Sequence, residues 1–330
     1  MRLPLVALDL LQIKNVKFLI AVSIIFFCLS GSAQKKETFY DFYWKPCEAT
    51  EARFYSTIEK KDSGWLRKDY FLSTRKLQMQ ILYEDEACKV PNGTELYFHA
   101  NGYPSITGQM IHGKQEGVCV RYYSNGVMAD SADYHNGIPV GSRFMWHSNG
   151  YPSDSIGHVN DSIDVHIGWF DDGATSFAGY LLRGKLTGKW KYFYHNGEVA
   201  AAEVYHNGKT VSEEFFNEDG TPQTDTSKVN TEASFANVGI EGWKKYLLKK
   251  LYWPHGLQFS NGNMATVGVE FTITEEGKIE DAEVVTPFHP EFDKIALDVI
   301  RNSPPWKPAI AHNRKIKVRH RQPVTFQQDD

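Results

Sequence analysis

The sequence has little cysteine and no excess of charge of either sign. It contains 4 cysteines in 330 residues, and its 36 Lys and Arg nearly balance 40 Asp and Glu, for a net charge of −4. A protein that binds nucleic acid needs a basic surface, so we expect no nucleic-acid partner. Cys47, Cys88 and Cys119 lack the CxxC spacing of zinc or redox sites. They allow at most one disulfide, for which Cys47–Cys88 is the candidate pair.

The sequence also lacks the short motifs that carry chemistry in common enzyme classes. It has no GxSxG, HExxH or P-loop, and no GxGxxG before a predicted helix. The adjacent carboxylates Asp171-Asp172 and Glu213-Glu214 lie on predicted turns or strands, where neighbouring side chains point to opposite faces. They are therefore poor general acid–base pairs. We predict a protein that is not an enzyme, with no catalytic residue and no cofactor.

Long apolar runs are missing too. The apolar run at 18–29 is short for a membrane span, which needs about 20 residues. Lys14 and Lys17 precede it, and the small residues Gly-Ser-Ala follow at 31–33. This pattern predicts a secretory signal peptide over 1–33, cleaved between Ala33 and Gln34. The alternative is an uncleaved membrane anchor.

What the sequence does contain is a turn motif that recurs every 23 or 24 residues. Aromatic or large apolar pairs precede each copy, and a second turn lies midway between copies. Asn-Gly and Asp-Gly favour the two-residue turns of β-hairpins, and the short aromatic runs between turns are typical of strands. We predict a row of stacked hairpins that bury their faces against one another. The motif occurs at Asn101-Gly102, Asn125-Gly126, Asn149-Gly150, Asp172-Gly173, Asn196-Gly197 and Asp219-Gly220.

The unit LRGKLTGKWKYFYHNGEVAAAEVYHNGK at 182–209 resembles the MORN-like variant repeats of bacterial envelope proteins. The resemblance covers 95–221, and residues 34–94 are predicted to be degenerate leading repeats. It implies a scaffold rather than an activity. Equivalent histidines would be separated by a whole repeat, too far apart to share one metal ion, so we predict no metal site. The histidines concerned are His99, His112, His135, His147, His158, His166, His195 and His206.

After a polar linker predicted at 222–234, the pattern changes to that of a small α+β domain over 235–330. Apolar residues recur at helical spacing in 240–251 and in HPEFDKIALDVIRN, and they alternate as in strands in 265–274. The run NSPPWKPA at 302–309 ends the second helix, because proline has no backbone donor. A return strand is expected at 279–285 and a final strand at 315–326. The predicted fold class is therefore β-rich: a hairpin-repeat sheet followed by a small α+β domain.

The segments KKLYWP, VGVEFTITEEGKIEDAEVV, HPEFDKIALDVIRNSPPWKPA and QPVTF occur in this order, and 235–328 resembles the TonB C-terminal domain. TonB transducers couple inner-membrane motor proteins to outer-membrane receptors across the periplasm. The resemblance implies that the domain captures the receptor's extended N-terminal segment at its sheet edge, by β-augmentation. The last strand, the candidate edge, is rich in Lys and Arg, and a basic edge either attracts an acidic partner or discourages aggregation. The candidate binding residues on the last strand are Lys315, Lys317, Val318, Arg319, His320 and Arg321.

The sequence departs from TonB transducers in two respects that bear on function, the first being that its apolar run at 18–29 is short for a membrane anchor and has only Ser23 as a polar residue. The sequence also has no Pro-rich spacer, and the repeats stand where that spacer would be. We therefore expect a periplasmic binding protein linked to TonB-dependent transport. Two alternatives stay open: an inner-membrane-anchored energy transducer with the repeats as its spacer, and a scaffold that acts through its repeats. Inner-membrane motor proteins and peptidoglycan are further candidate partners.

Overall fold

A computed structural model describes residues 36–160, 162–236, 238–258 and 264–328. The signal peptide predicted over 1–33, with its cleavage site, lies outside these residues. Residues from Glu37 onward form one compact unit. This unit contains a long sheet and, after it, a smaller α+β region.

The long sheet contains fifteen strands, whose order in space is their order along the chain. Successive strands pair as antiparallel hairpins. This confirms the predicted row of hairpins, and we call β1–β15 the repeat sheet. The strands are β1 (Lys36–Tyr40), β2 (Phe54–Lys61), β3 (Gly64–Phe71), β4 (Leu77–Tyr83), β5 (Pro91–Phe98), β6 (Pro104–Ile111), β7 (Lys114–Tyr122), β8 (Met128–His135), β9 (Ile138–Trp146), β10 (Pro152–Asn160), β11 (Ile163–Trp169), β12 (Thr175–Leu182), β13 (Lys185–Phe193), β14 (Val199–His206) and β15 (Lys209–Phe215).

The Asn-Gly turns hold neighbouring units in register. Asn125 Oδ1 accepts a hydrogen bond from the Val127 amide within its own turn, at 3.0 Å. Its Nδ2 donates to the Ser148 carbonyl of the next unit, at 2.8 Å. Because the amide side chain has both a donor and an acceptor, one residue closes its own turn and ties it to the next. The same bond to the following turn is made by Asn101, Asn149 and Asn196.

The turns at the opposite edge of the sheet have a different backbone. Asn136 and Gly137 both have positive φ, 54° and 79°, as do Asn207 and Gly208. Two consecutive residues with positive φ form the turn whose twist matches a two-stranded hairpin. One edge of the repeat sheet therefore carries the Asn-Gly motif turns, which we call the motif edge, and the other edge carries these tighter turns.

The residues from 235 to 328, which we call the C-terminal region, form a two-helix layer on a three-stranded sheet. Buried apolar side chains of both helices, such as Trp243 and Phe292, pack against Val267, Phe271 and Phe326 of the sheet. The strands are ordered β17-β16-β20. The elements are α1 (Gly239–Lys250), β16 (Met264–Ile273), β17 (Ile279–Thr286), α2 (Pro290–Arg301), β18 (Ala309–Ala311), β19 (Arg314–Ile316) and β20 (Val318–Gln327).

The Pro-Trp-Lys-Pro run after α2 is held by the turn between β16 and β17. The Trp306 side chain is buried in the core, and its amide donates to the Gly277 carbonyl at 2.7 Å. Gly277 has a φ of 77°, and a Cβ there would collide with the Trp306 carbonyl. Glycine is needed at this position for both reasons. The run thus fixes the path of the chain from α2 towards the last strands.

Two expectations from the sequence were wrong. The single strand expected over 315–326 is two strands, because the chain turns at His312-Asn313 to pair β18 with β19 before β20 begins. The suggested Cys47–Cys88 disulfide is absent, and both thiols are free. Cys47 lies in the loop between β1 and β2, where its amide bonds the Phe39 carbonyl, whereas Cys88 lies in the turn after β4, at the opposite edge of the sheet. A strand of seven or eight residues, about 25 Å, separates the two edges.

Candidate functional site at the edge of the C-terminal sheet

The last strand, β20, forms one edge of the C-terminal sheet. It pairs with β16 in unbroken register, from Val318 opposite Ile273 to Gln327 opposite Met264. Within the part of the chain that the structure describes, no strand pairs with its other side. A strand in this position presents unpaired amides and carbonyls to an incoming chain.

The backbone groups that face outward can be assigned from one hydrogen bond. The Thr274 amide donates to the Lys278 carbonyl at 2.9 Å, on the β17 side of β16. Backbone groups alternate sides along a strand, so the odd-numbered residues of β16 bond to β20. Val318 and His320 are their partners, so the backbone amides of Val318 and His320 face β16. The backbone amides of Arg319 and Arg321 face the free edge.

Pro323 agrees with this assignment, because an edge strand tolerates proline only where the missing donor faces away from its partner. It lies opposite Gly268 in an otherwise unbroken ladder. Pro323 also removes a donor from the free edge. The free amides of Arg319 and Arg321 thus lie immediately before it, within the stretch predicted from sequence.

Side chains of β20 alternate between the core and the outer face of the sheet. Val318, Val324 and Phe326 pack into the core. His320 is exposed but lies beside the Phe271 ring, with centroids 5.3 Å apart. The basic side chains lie on the outer face, so the structure brings them together there, although they differ in their partners.

Two of these basic residues are held by acids and by the repeat sheet. Lys317 Nζ lies 2.6 Å from Asp171 Oδ2, on the motif edge, and 3.1 Å from Glu280 Oε2. Burial opposes the charge of Lys317, but these two bonds outweigh it and raise its pKa. The hydrogen bond from Lys317 in turn lowers the pKa of Asp171.

Arg319 is engaged in the same way. It forms ion pairs with Glu270 of the adjacent strand β16 and, at 2.8 Å, with Glu283 of β17 beyond it. Its guanidinium also lies 5.8 Å from the centre of the Tyr123 ring, on the motif edge. Lys317 and Arg319 therefore connect the two sheets, and their charges are already neutralised within the chain.

Arg321 and Lys315 are the basic residues of this set that form no ion pair among the described residues. Arg321 is exposed, and its Nη2 donates to Thr286 Oγ1 at 3.1 Å. Lys315 is exposed on β19, beside a cleft of about 550 Å³ between β19 and the motif edge. Of the two, only Arg321 belongs to the free edge itself.

Sequence reasoning missed the β18–β19 hairpin, which joins the C-terminal region to the repeat sheet. Its turn residues His312 and Asn313 have φ of 52° and 62°. Asn313 Nδ2 donates to the Phe216 carbonyl at 2.7 Å, and the Tyr194 hydroxyl donates to the Asn313 carbonyl at 2.9 Å. The His-Asn pair between short apolar runs is a turn signal, but three-residue strands gave no periodicity by which to detect it.

Arg314, next to this turn, is the most buried cation of the contact, with 7% of its surface exposed. Its Nη1 donates to the Ser176 carbonyl, to Ser176 Oγ at 2.8 Å and to the Phe193 carbonyl at 3.0 Å. The guanidinium also lies over the Phe170 and Tyr192 rings, at 5.4 and 5.5 Å. Burial lowers the pKa of Arg314 to about 10, so the side chain remains charged at neutral pH.

Two histidines complete the contact. The His312 ring stacks on Tyr192 at 3.5 Å, and its Nδ1 lies 2.7 Å from Glu203 Oε1. His195, on the motif edge, lies 2.9 Å from Asp172 and 2.8 Å from Glu275 of the C-terminal region. Burial works against its charge, but the hydrogen bonds to these two carboxylates raise the pKa of His195.

Among the described residues, no group of three or more His, Cys, Asp or Glu side chains is arranged to hold a metal ion. No described helix is long and apolar enough to cross a membrane. The apolar run at 18–29 lies outside the described residues.

The comparison with known protein families agrees with this geometry. Residues 259–327 match the family model for the Gram-negative bacterial TonB protein C-terminal. This segment is a TonB C-terminal domain. Domains of this family are non-enzymatic, occur in envelope proteins that act in transport, and interact with outer-membrane receptors. No curated protein matches the chain. The MORN-like character of the repeats stays a prediction.

Proposed function

We propose that this protein is a periplasmic component of TonB-dependent transport that captures the N-terminal segment of an outer-membrane receptor. A signal peptide over 1–33 would direct its export and be cleaved between Ala33 and Gln34. The observation that carries the proposal is the free edge of β20, where the amides of Arg319 and Arg321 face outward beside an unbroken ladder to β16. An extended segment would add a strand there, and main-chain hydrogen bonds would supply most of its affinity.

Selectivity would come from the side chains of the captured segment. Those on the outer face of the sheet would lie beside Arg319 and Arg321. Arg319 is already paired with Glu270 and Glu283, whereas Arg321 has only a hydroxyl partner among the described residues. We therefore favour a segment with an Asp or Glu next to Arg321. This charge contributes up to about 1 kcal/mol, because the pair would be exposed to solvent.

The repeat sheet would serve as a rigid base for this capture. Contacts to the C-terminal region run along the motif edge, from Tyr123 through Ser148 and Asp171 to His195. They involve four successive units, with further contacts from Arg53 near the start of the sheet and from Phe216 after its last strand. Binding at β20 would therefore pull on a broad contact.

The proposal is tested by two variants of one residue. Arg321→Pro removes the outward amide and the cation, whereas Arg321→Ala removes the cation alone. Pro323 shows that β20 tolerates proline at an outward-facing position. Binding would be measured by fluorescence anisotropy, with peptides that cover the N-terminal segments of outer-membrane receptors from the same genome.

We expect Arg321→Ala to weaken binding by about fivefold or less, as for an exposed ion pair. Arg321→Pro should weaken it more than tenfold, because it loses a hydrogen bond and its ring obstructs the incoming strand. Thermal unfolding would verify that both variants are folded. Equal binding by Arg321→Pro and Arg321→Ala would show that the backbone edge does not carry the capture.

A further inference from the structure

Helix α1 carries exposed apolar and basic side chains on the surface that faces away from the repeat sheet. Trp243, Tyr246 and Leu247 pack against the core of the C-terminal region. Leu248 lies on the opposite side of the helix and is 81% exposed, and Ile240, two turns earlier, is 64% exposed. A leucine side chain that stays exposed lacks the roughly 2 kcal/mol of hydrophobic stabilisation that burial would give. Two exposed aliphatic side chains on one short helix therefore favour a surface that binds a partner.

The charge around these residues has one predominant sign. The helix contains four lysines, Lys244, Lys245, Lys249 and Lys250, and one glutamate, Glu241. Its net charge is therefore 4 − 1 = +3, in a chain whose net charge is −4. All four lysines are exposed. Lys244 bonds Glu241 at 2.8 Å, which leaves three lysines without an ion pair among the described residues.

The helical period places Leu248 among three of the lysines. At 100° per residue, Leu248 lies between Lys244 and Lys245, and Lys249 lies next to Lys245. Ile240 lies about 80° from Leu248, and Lys250 lies on the side of Trp243. Apolar residues flanked by lysines suit a surface that has an apolar interior and anionic groups on its outside. A lipid bilayer with anionic headgroups has this layering, whereas an acidic protein surface would leave Leu248 without apolar contacts.

The layer order of the C-terminal region leaves this helix accessible. The outer face of the β17-β16-β20 sheet meets the motif edge through Arg319 and Tyr123. Helix α1 packs on the inner face of that sheet, where Trp243 Nε1 donates to Gln322 Oε1 at 2.9 Å. A membrane in contact with α1 would thus lie on the far side from the repeats and would not cover the contact between the two sheets.

We propose that α1 is a peripheral membrane-contact helix, which lays Ile240 and Leu248 into the headgroup region of an anionic lipid surface while its lysines bind lipid phosphates. This would position the free edge of β20 close to a membrane. The proposal is independent of receptor capture, because α1 variants leave the outward amides of β20 unchanged.

The test is flotation of the full chain with vesicles of phosphatidylcholine alone and of an equal mixture with phosphatidylglycerol. The variants are Leu248→Gln and Lys245→Glu. Matched controls are Val211→Gln and Lys209→Glu, which change exposed residues of β15, where Val211 is 66% exposed. All variants retain the apolar run at 18–29, so any binding through that run is common to them.

We expect the unchanged protein to prefer the anionic vesicles. Reversal of one lysine near such a surface changes binding by about 2 kcal/mol, so Lys245→Glu should weaken binding by about 30-fold. Leu248→Gln should weaken it by about tenfold or more, and the β15 controls by less than twofold. Backbone amides of 246–251 should also exchange more slowly when anionic vesicles are present.

Two outcomes would overturn the proposal. One is the absence of any preference for anionic vesicles, which would favour a protein partner for α1 instead. The other is anionic binding that Leu248→Gln and Lys245→Glu leave unchanged, which would assign the binding to another part of the chain.

Discussion

Replacement of Arg314 by methionine would remove the buried cation that joins the β18–β19 hairpin to the repeat sheet. Methionine matches the apolar stem of arginine as far as Nε, but it ends there and cannot donate a hydrogen bond. The Ser176 and Phe193 carbonyls would lose their hydrogen bonds from Nη1, and the Phe170 and Tyr192 rings would lose the guanidinium above them. The change therefore isolates the polar part of the contact.

The expected loss is about 3 kcal/mol in the free energy of unfolding. Each hydrogen bond from a charged donor contributes about 1.5–3 kcal/mol, and a desolvated cation–π contact contributes about 2 kcal/mol. These losses are partly offset. Burial of a cation that lacks an ion-pair partner among the described residues costs the unchanged protein several kcal/mol, and the variant avoids this cost. The lowered pKa of Arg314 has the same origin.

Urea unfolding followed by circular dichroism would measure this loss. Lys315→Ala is the control, because Lys315 is the exposed neighbour of Arg314 and should change stability by less than about 0.5 kcal/mol. A second, earlier transition in Arg314→Met would show that the C-terminal region separates from the repeats. Stability of Arg314→Met within about 0.5 kcal/mol of the unchanged protein would refute the role given to this contact.

Two further predictions concern the same contact and the repeats. His195 has a raised pKa, so its contribution to stability is complete below its unfolded pKa of 6.5 and is lost as pH rises through the folded value. His195→Gln should flatten the fall in urea midpoint from pH 6 upward, and an unchanged pH dependence would contradict this. Deletion of residues 101–124, one whole repeat, should leave a protein that unfolds cooperatively in calorimetry. Deletion of 101–112 removes a single strand and moves the remaining motif turns to the opposite edge, so it should abolish cooperative unfolding; equal tolerance of both deletions would refute the repeat register.

The hairpin repeats could be predicted because their determinants are local. The Asn-Gly pairs set the turns, and side chains such as Asn125 reach only to the next turn. The two helices and strands β16 and β17 of the C-terminal region followed from periodicity and from proline and glycine positions. The helix predicted over 240–251 is observed at Gly239–Lys250.

The contact between the two sheets could not be predicted, because it joins residues far apart in sequence. Arg314 bonds Ser176, which is 138 positions away, and Lys317 bonds Asp171, which is 146 positions away. Neither pair has a local pattern. For the same reason the sequence presented four equivalent basic residues on the last strand, whereas the structure distinguishes Arg321, on the free edge, from Lys317 and Arg319, which are paired within the chain.

Residue-resolved hydrogen exchange of β20, with and without a receptor peptide, tests the central claim most directly. Amides of His320 and Gln322 face β16 and should be protected in both states. Amides of Arg319 and Arg321 should exchange quickly in the free protein and become protected when the peptide binds. Peptide binding that leaves the exchange of Arg319 and Arg321 unchanged would show that the segment is captured elsewhere.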